Sequence, residues 1–258
     1  MLRTVPATRY VTPLRGGGSV PALVEADDDG LYVLKFSGAA QGPKVLVAEL
    51  LAGELGRVLG LPVPELVLVE VDPAFGKAEP DEELQGPMLR SGGLNLGMDF
   101  LPGALPFDPG VPPRPDPTLA AEVVWFDALT TNVDRTVRNP NLLVWHRRLY
   151  LIDHGASLYV HHTWRDPREH ARRAFAPIRD HVLLPFAGSV AAADARLAPQ
   201  LDDDVVRSIV ERVPDAWLAP EPGLPDAASH RHAYVDYLSR RLAAPRPFVE
   251  EADRARAA

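Results

Sequence analysis

The segment Asn132-Val133-Asp134-Arg135-Thr136-Val137-Arg138-Asn139-Pro140-Asn141 places an Asp five residues before an Asn, and Asp153-His154-Gly155 follows 14 residues after that Asn. Phosphoryl transfer to a hydroxyl needs such a set. One carboxylate orients or deprotonates the attacking hydroxyl. An amide oxygen and a second carboxylate hold Mg²⁺, a hard cation that prefers oxygen ligands. A hairpin between Asn139 and Asp153 would bring them to one point, with Asn141 as the alternative amide.

The N-terminal half supplies complementary parts. Gly16, Gly17 and Gly18 carry no side chain, so their N–H groups can approach phosphates, and Ser19 adds a hydroxyl. Lys35 interrupts the apolar run Leu31-Tyr32-Val33-Leu34-Lys35-Phe36. An ammonium buried there needs a partner. A phosphate and a helix carboxylate would both serve, as with the strand lysine and helix glutamate of kinases. Two glutamates compete for that place. Glu49 lies on a stripe of Ala52, Gly53 and Gly56 that would let the helix backbone approach a sheet. Glu54 lies among Val47, Leu51 and Val58. Glu49 is preferred.

The elements that must position these groups follow from periodicity and punctuation. Extended segments are expected at Arg9–Leu14, Val20–Ala26, Leu31–Phe36 and Leu66–Val71, with a tight turn at Asp27-Asp28-Asp29-Gly30. A helix should run from Pro43 to about Gly60, since Pro suits a first turn and Gly a stop. Residues 72–95 read as loop and Met98–Leu101 as a short strand. Six prolines fall between Pro106 and Pro117, which suggests a boundary between two lobes. A helix follows at Thr118–Thr131. The short strands Leu142–Trp145 and Leu149–Ile152 come next. From about residue 168 the chain reads as helical, with segments near 180–187, 189–199, 203–212 and 228–243. The expected fold is α+β. Residues 1–105 would hold the glycine loop, the strand lysine and one helix, and 106–258 the helical part with the catalytic and metal-binding loops.

This combination resembles the HipA-like kinases, within the broad group that includes phosphatidylinositol 3/4-kinases. The resemblance rests on Tyr32-Val33-Leu34-Lys35-Phe36, on Glu49 in the helix ending Leu59-Gly60-Leu61-Pro62-Val63-Pro64, on Asn132-x-Asp134-x-x-x-x-Asn139, and on Asp153-His154-Gly155. It implies a two-lobed protein-kinase-like fold with a β-rich N-lobe and a mostly helical C-lobe. It implies use of ATP and Mg²⁺, with Asp134 as catalytic Asp, Asn139 and Asp153 as metal ligands, and Lys35 as the phosphate lysine. Thr136 stands where HipA proteins usually carry His, and Asp153-His154-Gly155 is closer to the lipid-kinase form.

Composition narrows the alternatives. The chain has 258 residues, is 46% hydrophobic and 24% charged, and carries a net charge of −8. That is globular rather than disordered, and it offers no broad basic footprint for nucleic acid. Zero cysteines exclude disulfides, thiolate metal sites and cysteine nucleophiles. No apolar run reaches the ~18 residues of a membrane span, and Met1-Leu2-Arg3-Thr4-Val5-Pro6 lacks a secretory apolar segment. Cytoplasm is the expected compartment. His154, His161, His162 and His170 match no common zinc spacing; His230 and His232 read as residues of a solvated helix. Ser19 and Ser157 lack the partners of a hydrolase triad. Arg135 and Arg138 could steer an anionic substrate or ATP phosphates, or form surface ion pairs. The leading expectation is phosphoryl transfer from ATP to a protein Ser or Thr, with a lipid or small-molecule acceptor next. A nucleotide-binding interaction module without activity and nucleotidyl transfer to protein are the rivals.

Overall fold

The computed structural model describes residues 2–14, 21–39, 42–78, 81–112 and 114–257. The expected glycine loop, Gly16, Gly17, Gly18 and Ser19, lies outside them. The chain opens with strands β1 (Thr4–Pro13), β2 (Ala22–Ala26) and β3 (Leu31–Lys35), then helix α1 (Pro43–Val58) and strand β4 (Leu66–Val71). A 3₁₀ turn (Pro73–Ala78), helix α2 (Glu82–Leu89) and strand β5 (Gly93–Asp99) follow.

Period-2 alternation sorts these strands into two faces. Tyr32 and Leu34 of β3 and Val67, Val69 and Val71 of β4 turn inward, with Val5, Val24, Phe36 and Met88, into one apolar cluster. Val33 and Lys35 take the other face. The strands close into a barrel in the order β1-β2-β3-β5-β4, sealed by a parallel pairing of β1 with β4. Gly97 of β5 permits that closure. A Cβ there would lie 2.6 Å from Val69 Cγ2 and 2.9 Å from Val67 Cγ2.

Residues 72–95 are therefore not a loop, and the expected strand 98–101 is the end of a longer one. Its inward positions are Asn95 and Gly97, so the usual apolar alternation is hidden. Gly86 and Pro87 within α2 hide that helix in the same way. Asn95 is fully buried and ties the region together. Its Nδ2 donates to the Ser91 carbonyl at 2.7 Å, and its Oδ1 accepts from the Ser37 N–H at 2.8 Å, just past Lys35.

Helix α1 is buried on every side from Val45 to Gly56, rather than along one face. Its small-residue stripe meets β4: a Cβ on Gly53 would sit 2.5 Å from Leu66 Cδ1. The helix stops in a Schellman turn. Gly60 has φ 73°, its N–H donates to the Arg57 carbonyl at 3.1 Å, and the Leu61 N–H donates to Gly56 at 2.9 Å.

The remaining elements are strand β6 (Leu105–Pro106), helix α3 (Pro117–Thr130), the hairpin β7 (Leu142–Trp145) and β8 (Arg148–Leu151), and helices α4 (Pro167–Ala171), α5 (Val190–Leu197), α6 (Asp203–Val210), α7 (Ala227–Leu242) and α8 (Pro247–Ala257). Strand β6 spans the expected boundary at 105/106 and pairs with β7. The segment expected as a helix near 180–187 is instead 3₁₀ turns at Ala176–Asp180 and Leu184–Phe186. Helix α3 is buried from Ala120 to Thr130 except at Glu122, as a central helix must be. It lies in the larger core cluster, which takes in α1, the hairpin and the helices after it. Among the described residues no helix is long and apolar enough to cross a membrane.

Gly97→Val should lower stability by about 1–3 kcal/mol, because the barrel must open to admit the side chain. A drop in the urea midpoint at unchanged slope measures it. An unchanged midpoint would show that the barrel wall has slack at this point.

Candidate active site

Lys35 leaves the barrel wall on the face opposite the barrel core, and its ammonium is held by two carboxylates. Nζ donates to Glu49 Oε2 at 2.8 Å and to Asp153 Oδ1 at 2.6 Å. The Lys35 and Glu49 side chains are buried, whereas that of Asp153 is 41% exposed. Burial works to lower the Lys35 pKa, but the two carboxylates outweigh it and hold the ammonium above its ordinary range. Burial pushes the Glu49 carboxyl up against the pull of Lys35. Burial also opposes ionisation of Asp153, yet Lys35 holds that carboxyl below its usual range. Glu54 is not the partner of Lys35. It is buried against Arg212 and Arg57 instead.

The loop after α3 holds Asp134 among three amides. Asp134 Oδ2 accepts from Asn139 Nδ2 at 2.8 Å and from Asn141 Nδ2 at 3.3 Å. The Asp134 N–H donates to Asn132 Oδ1 at 3.1 Å. Thr136 closes the turn, its N–H donating to the Asn139 carbonyl at 3.0 Å. Asp134 is half-buried, and these bonds fix the orientation of its carboxylate. Asn139 and Asn141 spend their N–H groups on it and keep their amide oxygens free.

Beneath the loop sits a buried ion pair. Arg135 Nε donates to Asp127 Oδ2 at 2.5 Å, and both side chains are fully enclosed. The same guanidinium bonds to the Asn141 carbonyl, to the Ile152 carbonyl at 3.2 Å and to His154 Nδ1 at 3.1 Å. Asp127 also accepts from His181 Nε2 at 2.9 Å and Asn132 Nδ2 at 3.1 Å. Arg135 thus faces neither a substrate nor the solvent, in correction of both sequence readings. Burial opposes charge on Asp127, but Arg135 and His181 hold its carboxyl far below the usual range. Burial and the adjacent Arg135 keep the His154 imidazole neutral, with a pKa lowered to about 3. Asp127 and His181 escape sequence motifs, though an Asp inside the apolar run Val123-Val124-Trp125-Phe126-Asp127-Ala128-Leu129 is itself a signal of a buried partner.

Between the barrel wall and the hairpin lies a cleft of about 660 Å³. Val33, Leu96 and Met98 line one side, and Leu142, Leu143 and Ile152 the other. That apolar slot suits a flat heterocycle. Lys35, Glu49, Asn139, Asn141 and Asp153 line its polar end. The donor set there fits Mg²⁺: Asp153 has an oxygen beyond the one Lys35 holds, the two asparagines offer amide oxygens, and buried Glu49 Oε1 has no hydrogen-bond partner. Mg²⁺ needs few protein ligands because phosphates and water complete its shell. No group of three or more His, Asp or Glu able to hold a metal occurs among the described residues.

The other end of α1 is clasped from behind. Lys44 Nζ donates to the His161 carbonyl at 2.6 Å and to Glu221 Oε2 at 2.7 Å. His161 is buried, with Nδ1 3.0 Å from the Tyr234 hydroxyl. His230 is buried as well, Nε2 lying 3.0 Å from the Ala219 carbonyl, so of the two α7 histidines His232 alone is exposed. Burial, with smaller contributions from His162 and Lys44, lowers the His161 pKa to about 3. The unfolded chain takes a proton on this ring below about pH 6.5, whereas the folded chain does not until about pH 3, so stability falls as pH drops through that window. By pH 5 this one ring should cost about 2 kcal/mol. Urea unfolding at pH 7.5 and pH 5 should show that decline, and His161→Gln should shrink it. An equal decline in the variant would place the effect elsewhere.

The three-dimensional arrangement has a solved counterpart. A Helicobacter pylori protein described as the proinflammatory kinase CtkA superposes with a TM-score of 0.60 at 16% identity, over 96% of this chain and 95% of that one. At that identity the likeness shows a shared kinase-type fold. No curated protein matches the sequence. The family model described as HipA-like kinase matches residues 8–244, which takes in Lys35, Glu49, Asp134, Asn139 and Asp153. The chain belongs to the HipA-like kinase family.

Proposed function

We propose that this protein transfers the γ-phosphoryl group of ATP to a hydroxyl, with a Ser or Thr of a protein as acceptor. One observation carries the reading. Lys35, bridged to Glu49 and Asp153, and Asn139, bonded to Asp134, converge on one cleft. The division into a barrel-bearing part up to residue 105 and a helical part from 106 belongs to the same reading. So does a cytoplasmic setting, where ATP is available and thiols are dispensable.

Each residue has a chemical task. The apolar slot of Val33, Leu96, Met98, Leu142 and Ile152 takes the adenine. Lys35 has three N–H donors; Glu49 and Asp153 fix two, and the third is aimed at phosphate. Asp134 orients the acceptor hydroxyl and takes its proton as the oxygen attacks the γ-phosphorus, the bond to the β-phosphate oxygen breaks and ADP departs. Asp153 and Asn139, with Asn141 as the alternative amide, hold Mg²⁺. When bound, the ion neutralises phosphate charge. That neutralisation is needed, because among the described residues the charged side chains lining the cleft are Lys35 against Glu49, Asp99 and Asp153. The glycines at 16–18 and Ser19 are proposed to cover the phosphates.

Incubation with γ-labelled and α-labelled ATP tests the reaction. Label should pass to protein from the γ position only. Transfer from the α position would mean nucleotidyl transfer, and no transfer would leave a nucleotide-binding module. Asp153→Asn should keep the fold and cut Mg²⁺-dependent turnover at least about a hundredfold. Asp134→Asn should retain ATP affinity by calorimetry while losing transfer. Wild-type turnover in either variant would remove that residue from its role.

Lys35→Met and Glu49→Gln should each lower turnover, and the double variant should fall well short of the product of the two losses, since both act on one unit. Multiplicative losses would mean that the two side chains work independently.

A further inference from the structure

A second groove of about 750 Å³ opens beside the loop that carries Asp134. One rim is Thr136, Val137 and Arg138, which begin two residues after Asp134. The facing wall comes from Arg179, Leu184 and Pro185, and Arg256 of α8 closes one side. Val137 is 65% exposed and has no core to pack on.

The charge of this groove runs against that of the molecule. Within a chain of net charge −8, the charged side chains lining it among the described residues are Arg138, Arg179 and Arg256 against Asp180. Arg138 makes no ion pair among the described residues. Arg179 reaches Asp180 only at 3.9 Å, with both side chains largely exposed, a geometry of little energetic value. Arg256 meets Asp253 at 3.3 Å, and that carboxylate already accepts from the Val190 and Ala191 N–H groups. The arginines are thus weakly committed within the fold.

The groove is also fixed relative to Asp134. His181 on its wall bridges to Thr136 and donates to Asp127, the anchor of Arg135. A chain lying in the groove would be held at constant distance from Asp134.

We infer that this groove docks an acidic, Asp/Glu-rich segment of the acceptor protein and so sets acceptor specificity. The inference rests on the kinase reading above and deepens it. Carboxylates of the segment meet Arg138, Arg179 and Arg256, while an apolar side chain covers Val137. Such contacts select the partner and speed encounter, and they weaken with salt.

The test uses two fluorescein-labelled peptides, each with a central Ser flanked by Glu and Asp or by Lys and Arg. Binding is read by fluorescence anisotropy and phosphorylation by γ-label. The acidic peptide should bind more tightly, lose affinity with added NaCl, and be phosphorylated at lower KM. Arg179→Glu/Arg256→Glu should raise its Kd and KM about tenfold or more, leave kcat and peptide-independent ATP turnover in place, and improve use of the basic peptide. Equal binding of both peptides, or an unchanged Kd in the variant, overturns the groove assignment even if phosphorylation proceeds. Charge-selective binding that the variant abolishes, without any label transfer, would sustain the groove and overturn the kinase reading.

Discussion

The pair of Asp127 and Arg135 is the constraint from which the site's geometry follows. Two charges removed from water are costly unless every donor and acceptor finds a partner. Here they do. The guanidinium bonds to Asp127, to the Asn141 and Ile152 carbonyls and to His154, while the carboxylate takes His181 and Asn132. One side chain therefore fixes the segment before the hairpin, the strand end after it and the residue beside Asp153. Asp134 and Asp153 lie 19 residues apart in sequence. They are held in one relative position because Arg135 follows Asp134 in the chain and bonds to Ile152 and His154, the neighbours of Asp153. A hydrophobic substitute would fill the volume but could not bind two carbonyls and an imidazole at once.

The same logic explains which features were legible in the sequence. Lys35 and Glu49 were legible because a lone cation in an apolar strand and a carboxylate on a glycine-rich helix stripe are both anomalies that demand each other. The pairing of Glu54 with Arg212 was not legible, because Arg212 lies 158 residues away and no local pattern announces it. Strand β5 was hidden because its inward positions are Asn95 and Gly97, whose tasks are bonding and close approach rather than apolar burial. Arg135 was misread because sequence gives residue type without depth: between Asp134 and Thr136 it resembles any surface arginine. The expected glycine loop at residues 16–19 lies outside the described residues.

Among the described residues, the cleft and the groove beside it have opposite charge, and each sign suits a different partner. Among the described residues of the cleft, carboxylates outnumber Lys35, so on the proposed reading a polyphosphate would enter with a divalent cation, which would serve binding as well as chemistry. At the groove, arginines outnumber carboxylates, so an acidic acceptor is drawn there and away from the cleft's polar end. An acceptor rich in Asp and Glu that relied on the cleft alone would be repelled by Asp153 and Asp99. Placing its recognition on the far side of the 134–141 loop separates attraction from chemistry. The loop's rigidity then matters in a new way. Thr136 faces the groove and Asn139 faces the cleft, and Arg135 anchors the turn between them from below. A segment bound on one side and a nucleotide on the other would thus be registered against the same buried ion pair, with Asp134 on the loop between them.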